Sequence, residues 1–272
     1  RISFFFNCHN YFFEEIAKFR AARKIWAKIM KERFQATNKK ALLCRFHVQT
    51  AGSSLQAQQI DNNIVRTTLQ GMSAVLGGTQ SLHTNSKDEA LSLPTKEAAK
   101  IALRTQQIIA YESGVTDVVD PLAGSYYIES LTDEIEEKTF KLIKEIDEMG
   151  GVIKAIENNF QDNKISESSY NYQKKIENHS QIIVGTNKFR EKENITNKTL
   201  QIDQKATEDQ LKRLKDFKEK RDSILSEKAL QNLDDKIKEG DNLLTSIIVC
   251  IKAGCSLGEI TLTMKNNFGE HS

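Results

Sequence analysis

Proline is nearly missing from this chain, at 2 residues in 272. That excludes a Pro-rich linker or a mucin-like stalk. Cysteine is scarce as well, and Cys8, Cys44, Cys250 and Cys255 form no Cys-x-x-Cys pair and no cluster with histidine. A disulfide scaffold is not expected in so long a chain with so few thiols, and no zinc spacing is present. Four buried thiols in a reducing compartment is the simplest reading, which makes the cytoplasm the expected location. An excess of charge is lacking too: the formal total is +2. Such a balance argues against nucleic acid as the main partner. No apolar run approaches the ~18 residues of a membrane helix, so no membrane partner is expected. Residues 2–6 are too few for the core of a signal peptide. Nucleophile-elbow, phosphate-loop and metal-ligand motifs are absent, so no metal site is expected in the chain itself.

What is present is an ordinary globular composition, 39% hydrophobic and 28% charged. The length allows one large domain or two small ones with a real core. Charge is uneven along the chain, summing to +5 over residues 1–130 and −3 over residues 131–272. The texture changes at the same place, from apolar stretches with Gly-containing turns to a remainder rich in Lys, Glu, Asp, Asn and Ile. Two regions are therefore expected, 1–130 and 131–272. The chain opens with Arg1, directly in strand-like sequence, and reads as a fragment of a longer protein.

Residues 2–6 read as a short buried strand. Over residues 11–34, Phe12, Ile16, Phe19, Ala22, Trp26, Ile29 and Met30 recur at helical spacing opposite a basic face, which predicts an amphipathic helix. Residues 42–50 return to strand character, Ala51-Gly52-Ser53-Ser54 is a turn, and a second long helix is predicted over 54–76. Gly77-Gly78 stops it before a strand over 79–85, and Pro94 opens a helix reaching residue 113. The rhythm, roughly 35–45 residues per repeat, is that of parallel βα units. The expected fold class is α/β. Three units are too few to close an eight-stranded barrel of about 250 residues, which leaves a small open sheet or the last part of a barrel. Beyond residue 130 the chain reads as mostly helical, over 131–149 with a glycine stop, 152–160, 165–178, a long charged helix over 207–233, 243–255 and 257–268. Residues 182–185 are a candidate short strand.

Parallel α/β folds bind ligands at the carboxyl ends of their strands. Here each such end is polar: Asn7-Cys8-His9-Asn10, His47-Val48-Gln49-Thr50 and His83-Thr84-Asn85. Polar groups of this kind are costly to bury without partners. Gln49 is a candidate to hydrogen-bond a ligand and His47 to move a proton, against the alternative of a satisfied structural histidine. Glu89, just past the third strand, is a candidate acceptor for a ribose hydroxyl, against a solvated loop carboxylate. Ala51-Gly52-Ser53-Ser54 before a predicted helix resembles an anion-binding start, a weak signal because many helices begin with serine. The turn from Asp120 to Gly124 and the following Tyr126-Tyr127 brace a site or, the favoured reading, a core.

Longer motifs, taken together, say more. These are Arg1-Ile2-Ser3-Phe4-Phe5-Phe6 with Phe13-Glu14-Glu15-Ile16-Ala17-Lys18, Gln49-Thr50-Ala51-Gly52-Ser53-Ser54, Asn62-Asn63-Ile64-Val65-Arg66-Thr67, and Gly77-Gly78-Thr79-Gln80-Ser81-Leu82-His83-Thr84-Asn85 with Asp88-Glu89-Ala90-Leu91. They resemble the large, catalytic subunit of the methylmalonyl-CoA mutase family. Asp120-Pro121-Leu122-Ala123-Gly124 and the closing Gly258-Glu259-Ile260 fit as well, so the resemblance runs almost end to end and in order. It implies a radical carbon-skeleton rearrangement of an acyl-CoA thioester, dependent on adenosylcobalamin, in a TIM barrel through which the CoA chain is threaded. This chain would supply the C-terminal part of that barrel, about three βα units in residues 1–130, and then a mostly helical linker region in 131–272.

The resemblance places Arg1 and Ser3 against the CoA portion, where a guanidinium and a hydroxyl suit phosphate. Gln49 and Glu89 match positions that hold the adenosyl group, with Asn85 nearby. Gly52 and Ser92 match positions that approach the corrin, and His47 and Gln80 are second-tier candidates. The family's catalytic tyrosine and substrate-polarising histidine belong upstream of Arg1, so no catalytic residue is expected here and the chain alone should be inactive. Asp-x-His-x-x-Gly, the motif of the cobalt-ligating histidine, is absent too. A cobalamin-binding domain or small subunit is the implied partner, in a hetero- or homo-oligomer. Methylmalonyl-CoA to succinyl-CoA is the first reaction expected. Isobutyryl-CoA and 2-hydroxyisobutyryl-CoA mutases are alternatives, and a non-catalytic docking subunit is the alternative from another class. An open barrel edge also predicts poor solubility or self-association.

Overall fold

Alternation organises the first strand: Phe4, Phe6 and Cys8 turn toward the core while Phe5 and Asn7 lie exposed on the other face. The computed structural model describes residues 2–192, 199–200 and 203–270, which leaves Arg1 outside the description. Strand β1 (Phe4–Cys8) leads into α1 (Phe12–Glu32), then β2 (Phe46–Thr50), α2 (Asn62–Leu76), β3 (Ser81–His83) and α3 (Lys96–Glu112). The strands form one parallel sheet in the order β1-β2-β3. Phe4, Phe6, Phe46, Val48 and Leu82 pack on Phe19, Trp26 and Ala74 from the helices. The Phe19 ring stacks on Phe46 at 5.4 Å, so the apolar stripe read from the sequence of α1 is the one that covers the sheet.

A fourth helix, α4 (Tyr126–Glu148), lies along α1. Arg20 pairs with Asp120 and Glu129, Lys24 with Asp133 and Glu136, Lys28 with Glu136, and Arg33 with Asp147. Partners ascend together along both chains, so the two helices run in the same direction. The basic face of α1 is thus an ion-pair face. Tyr126 is 95% exposed and Tyr127 62%, so the core reading of these aromatics does not hold. Helices α5 (Val152–Glu157) and α6 (Phe160–Glu177) follow, entered through Gly151 at φ +98°.

The chain divides into two compact units, one running to Leu200 and one from Gln201. The first change of texture, near residue 130, coincides with the start of α4. In the second unit, α7 (Gln204–Lys220) buries no residue, while α8 (Ser223–Glu239), α9 (Leu244–Lys252) and α10 (Leu257–Phe268) gather around Leu233, Cys250, Cys255 and Ile260. The single long helix expected over 207–233 is two helices. Asp222 caps α8 by accepting from Leu225 N at 2.9 Å, and Arg221 is pulled out of helical conformation toward Gly254 O and Glu259. Residues 182–185 form no strand; Val184 makes only an isolated bridge to Lys188. Among the described residues, no helix is long and apolar enough to cross a membrane.

The largest departure falls between residues 54 and 61. A helix was expected from Ser54, yet α2 starts at Asn62. Gly52–Ser54 curls as a short 3-10 turn, and residues 58–61 make a separate turn that leads into α2. The buried Asn63 side chain bonds both the N–H and the carbonyl of Gln56, which holds that backbone away from a helical path. The anion-binding helix start read at Ala51-Gly52-Ser53-Ser54 is therefore absent.

Candidate functional site

Parallel register builds two rows across the sheet face that carries no helix. Phe5, His47 and Ser81 share one row, and Asn7, Gln49 and His83 share the next toward the carboxyl ends. In the first row Phe5 and His47 lie with ring centroids 5.0 Å apart, and His47 Nδ1 shares a 2.7 Å hydrogen bond with Ser81 Oγ. His47 is thus partnered within the sheet. Gln80 stands at the opposite, amino end of β3. Its Oε1 accepts from Phe46 N at 2.7 Å and its Nε2 donates to Gly78 O, so it satisfies the amino end of the central strand β2.

At the carboxyl ends the candidates converge. Gln49 Nε2 donates to Asn85 Oδ1 at 3.1 Å. Asn85, 2% exposed, is itself locked by bonds from its backbone N–H to Thr50 Oγ1 and from its Nδ2 to Thr50 O, both 2.9 Å. Glu89 reaches back over the same spot: a Cβ built on Gly52 would lie 2.6 Å from Glu89 Oε1 and 3.1 Å from Asn85 Nδ2. Only glycine leaves that carboxylate where it is. Although much of Glu89 is exposed, the shielding of its carboxyl end pushes its pKa upward; His83 works against this shift and Asp88 adds to it. The result is an amide donor, an amide acceptor and a carboxylate around a bare backbone, a set suited to sugar hydroxyls. Ser92 sits on the Glu89 loop, half-buried, with its Oγ donating to Leu93 O; it does not join this cluster. Ser3 is exposed just before β1, and Arg1 lies outside the described residues.

The rim rests on side chains that the sequence reading passed over. Gln70, 1% exposed on α2, accepts from Ala51 N at 3.0 Å and donates to Asn10 Oδ1 and Ser54 Oγ at 2.7 Å each. Asn63 anchors Gln56 and Lys87. Their signal was available: both are polar residues on the inner stripe of a helix, where burial demands partners. A cavity of about 690 Å³ opens near the amino ends of β1 and β2, lined by Ile2, Trp26, Met30, Lys40 and Arg45. Neither Lys40 nor Arg45 has a carboxylate in ion-pair range among the described residues. Also among the described residues, no three His, Cys, Asp or Glu side chains group to hold a metal ion.

The family model described as Methylmalonyl-CoA mutase matches residues 1–270. The chain belongs to the methylmalonyl-CoA mutase family. It is 46% identical over 274 residues to the methylmalonyl-CoA mutase of Rhizobium meliloti (strain 1021), covering all of this chain and 38% of that protein. Identity to the mitochondrial methylmalonyl-CoA mutase of Bos taurus is 45% over 273 residues, all of this chain and 36% of that one. The 2-hydroxyisobutanoyl-CoA mutase large subunit of Aquincola tertiaricarbonis is 44% identical over 273 residues, again all of this chain and 49% of that protein. The chain therefore spans less than half the length of each of these relatives. In this mutase family member, Gln49–Ser54 and Asn85–Glu89 are the two segments that meet at the rim.

Proposed function

We propose that the chain supplies the last three βα units of a TIM barrel, in residues 1–130, and the helical region after it, in 131–272, of an acyl-CoA mutase. The cofactor proposed is adenosylcobalamin. The observation that carries this is the convergence of Gln49, Asn85 and Glu89 on side-chain-free Gly52, within a chain that the family model matches from residue 1 to 270. When bound, adenosylcobalamin supplies the radical chemistry that moves a group between adjacent carbons.

The chain's own residues bind and orient. Glu89 accepts from ribose hydroxyls, and Gln49 and Asn85 hold that sugar by donating and accepting, while Thr50 keeps Asn85 from turning away. Gly52 and Ser92 leave room for a large flat ring. The raised pKa of Glu89 keeps its carboxylate a ready acceptor only while it stays ionised, so sugar binding weakens as pH falls through the Glu89 pKa. Phe5, His47 and Ser81 line the wall along which an acyl-CoA chain runs. Lys40 and Arg45 at the other end of the strands supply basic groups for CoA phosphates, and Ser3 and, by the resemblance, Arg1 are assigned to the same CoA portion. No general acid or base for the rearrangement is assigned to this chain.

Methylmalonyl-CoA is the first substrate proposed, with isobutyryl-CoA or 2-hydroxyisobutyryl-CoA as the second reading. The second rests on the 44% identity to a relative named as a 2-hydroxyisobutanoyl-CoA mutase large subunit. By the same analogy a separate cobalamin-binding small subunit is the proposed partner, in the cytoplasm. The test uses the complete gene product carrying this chain, with its cobalamin-binding partner. Turnover of one of the three acyl-CoA esters that requires adenosylcobalamin, and that falls sharply in Glu89→Gln, supports the reading. Cofactor-independent turnover overturns the adenosylcobalamin reading, and an intact wild-type protein that turns over none of them overturns the mutase reading and leaves a docking role.

A further inference from the structure

Helix α2 carries a second polar arrangement that the proposed function does not use. Asn63 is fully buried. Its Nδ2 donates to Gln56 O at 2.8 Å and to Lys87 O at 2.9 Å; its Oδ1 accepts from Gln56 N at 3.0 Å and Arg66 Nη1 at 2.7 Å. Every hydrogen-bonding valence of the amide is used. Gln56 follows the turn that bears Gly52, and Lys87 lies two residues before Glu89. One side chain thus spans both loops of the rim. Lys87 Nζ reinforces the span at Asp61 Oδ1, 2.6 Å away.

Arg66 extends the connection outward. Its Nη2 donates to Val184 O at 2.8 Å. No carboxylate lies in ion-pair range of this half-buried guanidinium among the described residues, so its donors are spent on neutral oxygens. A planar guanidinium directs such bonds at fixed angles. Val184 belongs to residues 181–189, which Asn187 folds onto themselves by donating to Gln181 O and Ile176 O and accepting from Ile183 N. That segment also grips the first rim loop directly, through Thr186 Oγ1 to Gln56 Oε1 at 3.0 Å and Gln59 Nε2 to Phe189 O at 2.8 Å.

We infer that Asn63 and Arg66 are positioning residues that tie segment 181–189 to both rim loops, so that the placement of Gly52 and Glu89 depends on a contact made in the helical region after the strands. The inference rests on the functional reading above for what the rim binds, and on the hydrogen bonds alone for the coupling.

The test uses the complete gene product with its cobalamin-binding partner and the variants Arg66→Met, Arg66→Lys, Asn63→Asp and Gly185→Ala. Asn63→Asp keeps the shape but turns two donors into a carboxylate facing Gln56 O and Lys87 O. Gly185→Ala perturbs the far end, because a Cβ there lies 3.0 Å from Gln59 Cδ at φ +82°. Two readouts are taken: amide hydrogen exchange in 52–61 and 84–92 without cofactor, and the KM for adenosylcobalamin against the KM for acyl-CoA. The expected result is roughly tenfold faster exchange in both loops for Arg66→Met and Gly185→Ala. A cofactor KM raised by a similar factor, an acyl-CoA KM within about twofold, and partial recovery in Arg66→Lys should accompany it. Exchange changes confined to 181–189, or both KM values moving together, overturn the coupling, and Arg66→Met decides this if Asn63→Asp fails to fold. If the wild type binds no adenosylcobalamin, the functional reading falls while the exchange experiment still decides the coupling.

Discussion

Gly52→Ala is the sharpest probe of the rim. Gly52 sits in a 3-10 turn without a positive φ, so alanine suits its backbone, and the substitution acts through contact alone. The new methyl carbon would lie 2.6 Å from Glu89 Oε1, and an ordinary contact begins near 3.4 Å, so the carboxylate must retreat by about 0.8 Å. Glu89 is a flexible side chain at an exposed position, and its retreat costs little stability. The lower chain entropy of alanine in the unfolded state offsets about 0.4–1 kcal/mol of that cost. The melting temperature should therefore move by no more than about 2 °C. Binding is another matter, since a misplacement approaching 1 Å costs up to about 100-fold. We expect adenosylcobalamin affinity, measured by absorbance titration of the complete gene product, to fall by roughly 10- to 100-fold, or about 1.4–2.7 kcal/mol. In a Glu89→Ala background the same substitution should add less than it does alone, because the closest contact is gone and only Asn85 Nδ2 at 3.1 Å remains to give way. Fully additive losses, or an unchanged affinity with a melting temperature lowered by about 5 °C or more, would refute the reasoning.

Other substitutions separate packing from chemistry. At Gly77 an added Cβ meets Phe19 Cδ2 at 2.5 Å and the backbone Ser73 O at 3.1 Å, and Phe19 is fully buried; Gly77→Ala should destabilise by about 1–3 kcal/mol in urea unfolding. In the second unit, the Arg221 guanidinium and the Ser256 N–H and hydroxyl hold the Glu259 carboxyl far below the usual carboxylate range. Because the folded pKa is depressed, this stability is complete above the unfolded value near pH ~4.3 and is lost as pH falls through the folded pKa. Glu259→Gln should cost about 1–2 kcal/mol at pH 7 and converge with the wild type in acid; a pH-independent difference would count against the pairing. Burial pushes the Cys8 thiol up to about 12, and Cys44, Cys250 and Cys255 are buried too. Ellman's reagent at pH ~8, close to the free thiol pKa, should label none of the four rapidly until denaturant is added.

The helical spacing of Phe12, Ile16, Phe19 and Trp26 determined α1, and the run of glycines at 77 and 78 ended α2, because local periodicity and backbone freedom are properties of neighbouring residues. The parallel βα rhythm and the polar strand ends pointed to the carboxyl end of the sheet, where these side chains meet. Gln49, Asn85, Glu89 and Gly52, named from motifs, do come together. The start of α2 was not legible, since residues 54–61 have helical composition and are held open by Asn63 and Gln70, which lie farther along the chain. The break at Arg221 was hidden for the same reason: its partners, Gly254 and Glu259, are more than thirty residues away. Gln80, named as a second-tier candidate, accepts from Phe46 N at the amino end of β2. The sequence by itself thus determined the order of the three strands and their helices and which residue types sit at the strand ends. Only the tertiary structure decided which backbone each buried amide would satisfy, because a hydrogen bond across the fold outweighs the local preference of the loop it holds.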